Sequence, residues 1–446
     1  MPKHILSCAA LCAGLFLALT GCGTEIPPEN SSLAEQTTVS TVVTSCTTAT
    51  SATAATIALS TASTESTVET TATTVLSTAA TAAVVSGGVL QTAAPRQTTA
   101  TTVTEPQPLI YQQQSPEQIL NQMTIEQKVA QMLMISCHTK GADTYAAKHG
   151  AGALCLYADA FTNKSKQQVI NMTTNLQNLS ALPLLISVDE EGGSVTRISS
   201  NPQLRASKFP RPAQLFANGD WDAVNNDTAE KAQLLLSLGI NVNLAPVCDI
   251  PQSKNDYIYS RCFSMDASYT CEYVQRVVRT MNIEGIGSTL KHFPGYGGSA
   301  DTHKGMGYDS RPLSDFENSD LKPFIEGIKH GADSVLVSHN IVKCLDENNP
   351  ASLSKNVHDL LRNQLGFQGV VITDDLNMDA IVQFCGTENA AVKAVEAGND
   401  LLCCPNFNEA YNAILQAVKN NRISEERLNE SVLRILKWKQ DLSLFD

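Results

Sequence analysis

Aromatic residues are scarce in this sequence, at 5% of 446 positions, and its charge leans to one sign. Asp and Glu outnumber Lys and Arg by 44 to 31, for a net charge of −13, and no basic run breaks that balance. Nucleic-acid binding relies on clustered Lys and Arg that displace counterions, so the composition argues against such a partner. The apolar run near the N-terminus, Ile5–Leu19, is too short for the ~20 residues of a comfortable membrane span. No C-x-x-C pair occurs among the 13 cysteines. Setting aside Cys8, Cys12, Cys22 and Cys46 leaves nine, an odd number that suggests neither a zinc site nor a disulfide framework. Cys155, Cys248, Cys403 and Cys404 lie in apolar, strand-like runs and read as buried thiols. No G-x-G-x-x-G spacing follows the first apolar run, so the phosphate loop of a doubly wound dinucleotide fold is missing and no cofactor is expected.

Three zones follow in order. Residues 1–22 read as an export signal: Lys3 and His4, the apolar run, then Leu19-Thr20-Gly21-Cys22, which resembles a bacterial lipobox with Cys22 as the lipidated residue. The expected location is the outer side of the cell membrane, held by lipid, with a plain signal anchor as the alternative. Residues 23–110 are Thr, Ser and Ala rich, with runs such as Thr70-Thr71-Ala72-Thr73-Thr74 that bury too little apolar area to offset chain entropy. This zone is expected to be a disordered stalk. Residues 111–446 have ordinary globular composition, and Ser115-Pro116-Glu117-Gln118 fits a capping box that opens the first helix.

Within the third zone, apolar runs alternate with helical patterns. The candidate strands are Met132–Ser136, Ala153–Tyr157, Leu184–Val188, Val242–Ala245, Ser288–His292, Ser334–Ser338, Val370–Thr373 and Asp400–Cys404. Helical patterns lie between most of them, and a last one after Ser424 places Leu428, Val432, Ile435 and Leu436 on one face. Eight strands in alternation with helices predict an α/β fold of the (β/α)₈ barrel type, with a doubly wound open sheet as the rival.

A barrel of this kind builds its site at the C-terminal ends of its strands. Polar residues gather there: Asp189 to Gly193 after the third strand, Asp249 and Arg261 after the fourth, Lys291 and His292 at the end of the fifth, His339 after the sixth, and Asp374-Asp375 after the seventh. The fifth strand opens the loop Lys291-His292-Phe293-Pro294-Gly295-Tyr296-Gly297-Gly298-Ser299-Ala300-Asp301-Thr302-His303. Asp301 and His303 sit two apart, so a tight bend brings a carboxylate onto an imidazole and readies it for proton transfer. Each of these residues alone could be an ordinary polar contact, and for Asp249 and His339 that reading is as good as function. Their joint placement on one rim suits polyol recognition. Asp189 would accept bonds from two vicinal hydroxyls, Lys291 and Arg261 would donate to the same sugar, and a carboxylate can attack an anomeric carbon.

Five segments carry a resemblance to glycoside hydrolase family 3, in its β-N-acetylhexosaminidase branch. They are Val188–Gly193, Asn243–Ile250, Ser260-Arg261-Cys262-Phe263, Lys291–His303 and Ile372–Met378, in family order. The resemblance implies Asp374 as nucleophile, His303 as acid/base with Asp301 as its partner, and Asp189, Arg261, Lys291 and His292 as sugar-binding residues. It further implies a retaining exo-β-N-acetylglucosaminidase that hydrolyses peptidoglycan fragments or chitooligosaccharides. The alternatives are a family 3 β-glucosidase or β-xylosidase, and a non-catalytic sugar-binding lipoprotein. Departures from the pattern are Glu190 for Gln, Tyr296 for His, Thr302 for Ser, and a loop one residue short. The chain is expected to end where the barrel ends and to act as a monomer, so the acid must come from the barrel itself. Of the neighbours Asp374 and Asp375, only one is expected to aim at the barrel axis, because successive side chains on a strand alternate.

Overall fold

The computed structural model describes Glu105, Leu109 and residues 111–446. The expected signal segment with Cys22, and the linker apart from Glu105 and Leu109, lie outside the described residues. Among those residues, no helix is long and apolar enough to cross a membrane.

Two short helices open the domain, Pro116–Gln122 and Ile125–Gln131, each behind a full capping box, at Ser115 and Thr124. Eight barrel strands follow, with a separate short pair, Tyr308–Asp309 and Ile341–Val342, outside their ladders: β1 (Leu133–Ser136), β2 (Ala153–Cys155), β3 (Leu185–Val188), β4 (Val242–Asn243), β5 (Thr289–Phe293), β6 (Ser334–Val337), β7 (Val370–Thr373) and β8 (Leu402–Cys404). All pair in parallel. β8, β1, β2, β3 and β4 form one ladder, with Leu133 opposite Leu402 and Ser187 opposite Val242. β5, β6 and β7 form a second, with Thr289 opposite Ser334 and Ser334 opposite Val370. Single bridges close the ring: Val242 to Gly287, Val247 to Lys291, and Ile372 to Leu401. The expected (β/α)₈ barrel is the fold.

β4 is shorter than the apolar run suggests. Pro246 has no N–H to give to a ladder, so regular pairing stops before it, although its carbonyl still accepts from the Lys291 amide. Helices also form at Ala142–Lys148, at Asp379–Cys385 and over the first half of Pro212–Ser237, where the sequence shows no helical pattern. The last hides its periodicity because the helix kinks at Gly219 and Asp220. Asp220 takes a positive φ of 56° with ψ −153°, a conformation rare for any residue but glycine, which breaks the helix there.

The core lies inside the barrel and between barrel and helices. Behind the Ser424 cap, the last helix (Glu425–Asp441) lays Leu428, Val432, Ile435 and Leu436 against the domain with no exposure at all. Four such side chains bring on the order of 8 kcal/mol of transfer free energy, before chain entropy is charged against it. At the N-terminal end of the barrel, Asp400 accepts from Arg434 and Ser431 of this helix. The opposite end is left open for the residues that follow each strand.

Candidate active site

β3 ends at Val188, and Asp189 and Glu191 follow it on alternate positions, which turns both carboxylates to the same side. The ammonium of Lys291, from β5, sits between them, 2.7 Å from Asp189 Oδ1 and 2.6 Å from Glu191 Oε1. Arg197 Nη2 donates to the other oxygen of Asp189 at 3.1 Å. Arg261 grips Glu191 with two prongs, Nη2 to Oε1 at 2.7 Å and Nε to Oε2 at 3.0 Å. Burial opposes ionisation of both carboxyls. The surrounding cations outweigh it: Lys291 and Arg197 hold Asp189 below its ordinary range, and Arg261 with Lys291 do the same to Glu191. Lys291 is buried as well, yet its two carboxylate partners raise it, so the floor of the site is ionic throughout.

His292 extends this floor. Asp249, fully enclosed, takes the Nδ1 proton at 2.6 Å, and Arg261 Nη2 donates to Nε2 at 3.0 Å. Both ring nitrogens are thus spent on protein. The expected sugar-binding role is therefore not one of direct hydrogen bonding: His292 presents its ring to the site and braces Arg261. The other oxygen of Asp249 accepts from the Tyr296 amide at 2.7 Å, so this carboxylate positions the start of the loop as well.

Asp374 and Asp375 follow β7. The expectation that only one faces the axis fails: both line the same cavity. Strand alternation stops at Thr373, and the pair sits in the turn beyond it. Their environments differ, however. Burial works against the charge of Asp374, but His339 and His292 nearby, with a bond from the Asp375 amide, hold its carboxyl below the ordinary value. Burial raises Asp375, whose Oδ1 caps the Asn377 amide and whose Oδ2 lies 3.8 Å from His138 Nε2. His339 is fully buried. It accepts from Ser352 on Nδ1 at 2.7 Å and donates from Nε2 to the Asp375 carbonyl at 3.0 Å. Desolvation lowers its pKa, and its two bonds brace the turn.

The loop after β5 brings the remaining pair. Asp301 Oδ1 lies 2.9 Å from His303 Nδ1, the tight bend expected from their spacing, and burial of Asp301 is outweighed by bonds from His303 that lower its pKa. The imidazole is 58% exposed, which leaves Nε2 facing the open site. Two devices fix the loop. The Tyr296 hydroxyl bonds the Thr302 hydroxyl and accepts from the Thr302 amide at 3.2 Å. Beneath it, Arg311 joins Asp309 to Asp320 with bonds of 2.8 to 2.9 Å. Gly297 (φ 52°) passes so close that a Cβ would stand 2.3 Å from Arg311 Nη2, which makes glycine obligatory there.

These groups surround one cavity of about 540 Å³, lined by Asp189, Arg197, Arg261, Lys291, His292, His303, Asp374 and Asp375. Asp301 sits behind His303 and not on the cavity wall itself. The wall also holds His138, Tyr157 and Tyr257, none of which the sequence pointed to. Tyr157 packs against His138 with ring centroids 3.7 Å apart and the planes tilted by 33°, and Arg197 covers it at 5.6 Å. Glu191 could have been found from its position two residues beyond Asp189. Arg197, on an irregular loop, carried no such signal. The nearby Cys155, Cys248, Cys403 and Cys404 are buried, as their apolar settings suggested, and burial raises all four thiols.

Fold and rim define a (β/α)₈ barrel whose strand ends converge on a polar, concave site with two carboxylate–imidazole pairs. A family model described as the glycosyl hydrolase family 3 N terminal domain matches residues 124–438. The chain belongs to glycosyl hydrolase family 3. Among curated relatives it is 29% identical over 333 residues to beta-hexosaminidase A of Pseudoalteromonas piscicida, covering 66% of this chain and 54% of that protein. It is 33% identical over 269 residues to a beta-hexosaminidase of Xylella fastidiosa, covering 58% of this chain and 77% of that one. A solved family 3 beta-N-acetylglucosaminidase from Paenibacillus superposes with a TM-score of 0.68 at 34% identity, over 72% of this chain and 63% of that chain. The M tuberculosis LpqI structure gives 0.66 at 26%, over 73% and 96%. The chain thus spans about half the length of the Pseudoalteromonas relative and under two thirds of the Paenibacillus one.

Proposed function

We propose that the chain is a retaining exo-β-N-acetylglucosaminidase acting on peptidoglycan fragments or chitooligosaccharides. The observation that carries this reading is the pairing of Asp374, kept below its ordinary pKa, with the exposed Asp301–His303 dyad around one cavity. In the proposed reaction an Asp374 oxygen attacks the anomeric carbon as the glycosidic C–O bond breaks. The proton on His303 Nε2 goes to the departing oxygen, and Asp301 steadies the imidazole through Nδ1. Water then attacks the glycosyl ester, gives its proton back to Nε2, and frees Asp374 with retention of configuration. Asp189, Arg261 and Lys291 hold the sugar hydroxyls, with His292 supporting Arg261. The ionic floor closes the cavity behind that sugar, which favours a terminal residue over an internal one. The names of the relatives above point to the same glycone.

Trapping with a 5-fluoro glycoside and peptide mapping tests the assignment. Label on Asp374 is expected; label on Asp375, or a product of inverted configuration, overturns it. A panel of nitrophenyl β-glycosides separates the N-acetylhexosaminide from the glucoside and xyloside readings. Membrane anchorage is a further part of the proposal, supported by the Leu19–Cys22 segment. Cys22→Ala should move the protein from the membrane to the soluble fraction, and full retention on membranes would refute the lipid anchor.

A further inference from the structure

The ionic floor accounts for one sugar ring, and the cavity of about 540 Å³ extends past it to Tyr257 and His303. Tyr257 is 38% exposed and lines this cavity. It stands on the helical turn Tyr257–Ser260, immediately before Arg261. That turn is rigid. Asp256 Oδ2 caps the Gln252 and Ser253 amides at 2.7 and 2.8 Å, Arg211 Nη2 donates to the Tyr259 carbonyl at 2.6 Å, and Ile258 is fully buried. The Tyr257 ring packs 5.9 Å from the buried ring of Tyr296 and lies 6.4 Å from the imidazole of His303. Burial, with the charges of Asp301 and Asp374, raises the phenol against the charge and hydrogen bond of Arg261.

Tyr157, the other aromatic side chain of the cavity, is covered by His138 and Arg197 and offers no comparable face. A group that protonates a leaving oxygen must face the leaving group, so a ring beside His303 flanks the path of departure. Building on the glycosidase reading above, we propose that Tyr257 is the platform on which the leaving sugar rests, a specificity-determining residue for the aglycone. Pyranose C–H faces pack on aromatic rings, and a rigid aromatic wall offers such a face at low entropic cost. In the second half-reaction the same ring would hold an acceptor sugar in place of water.

The test uses the full chain and the Tyr257→Ala, Tyr257→Phe and Tyr257→Trp variants. Substrates are N,N′-diacetylchitobiose and the methyl β-glycoside of N-acetylglucosamine, with free N-acetylglucosamine as inhibitor. Tyr257→Ala should lose about tenfold or more in kcat/KM on the disaccharide, with a much smaller loss on the methyl glycoside. It should make less transglycosylation product at high disaccharide concentration. Phe and Trp should restore both, since the ring and not the hydroxyl carries the contact. Inhibition by the monosaccharide should not change, because it fills only the floor. An equal loss on both glycosides, or no rescue by Phe, overturns the platform in favour of a merely structural turn. An unchanged kcat/KM of Tyr257→Ala on the disaccharide also overturns it. If the wild-type chain cleaves neither glycoside, the glycosidase reading itself falls; that result is distinct from a wild type that cleaves both and variants that match it.

Discussion

The two ends of the barrel hold ion clusters of the same chemistry and opposite fate. At the N-terminal end, Asp400 is fully buried and its oxygens are filled by Arg362, the Val371 amide, Ser431 and Arg434. At the C-terminal end, Asp189, Glu191, Lys291 and Arg261 form a second cluster, but this one borders a cavity. Bringing charges out of water costs several kcal/mol per ion, and pairing returns it only when every lone pair is used. The bonds of Asp400 all go to the fold. The open cluster meets a cavity, where a ligand rich in hydroxyls can reach it. Access to a cavity, more than charge, separates a site from a strut.

If that contrast holds, substitutions at the open end should cost turnover, and those at the closed end should cost stability. Asp374→Asn should bring the largest effect, a loss on the order of 10⁴-fold or more in kcat/KM, with a urea midpoint equal to or above that of the wild type. A stable but fully active Asp374→Asn would erase the distinction. His303→Ala should lose about 10² to 10⁴-fold on sugars with poor leaving groups and far less on dinitrophenyl glycosides, which need little protonation. Equal rates on both would remove His303 from the acid role. Asp400→Ala strands Arg362 and Arg434 without their carboxylate and should cost about 3 to 5 kcal/mol in urea unfolding, while the folded fraction keeps its kcat.

The smallest effect expected has the opposite sign. Lys439 in the last helix is fully buried, its ammonium bonded only to Gln131 Oε1 at 2.7 Å among the described residues, and burial lowers its pKa from 10.5 to about 7. Below pH 7 both folded and unfolded chains carry this proton, and the folded state bears the full penalty. Between pH 7 and 10.5 the unfolded chain binds more protons, so stability rises with pH and the penalty fades. Lys439→Met should gain roughly 2 to 4 kcal/mol at pH 6, once the loss of the Gln131 bond is subtracted, and the gain should vanish near pH 10.5. A pH-independent difference in melting would show that Lys439 is not the source.

Much of this was legible from the chain alone. The eight strands declared themselves because a barrel strand is apolar on both faces and needs no partner to be recognised. Asp374, Asp301, His303 and Lys291 were found because each follows or ends such a strand. Asp400 and Asp374 are both aspartates beside an apolar run, and only their place before or after it tells the closed end from the open one. Arg197, Tyr257 and His138 escaped notice because they reach the cavity from irregular segments, where no periodicity connects sequence position to direction. Likewise, nothing in the sequence shows that both nitrogens of His292 are consumed, since their partners, Asp249 and Arg261, are brought in by tertiary folding.

The bond between Tyr296 and Thr302 makes the loop after β5 a small closed ring. Lys291 and His292 enter below the clasp, and His303 leaves directly above it. The span 298–300 is therefore an exchangeable insert: lengthening it should bulge the ring outward while the clasp, Gly297 and Asp301 keep both ends where they are. Breaking the clasp would transmit any change in that span straight to His303. For a designer who wishes to retune this site, Tyr296 and Thr302 mark the boundary inside which residues 298–300 can be rewritten.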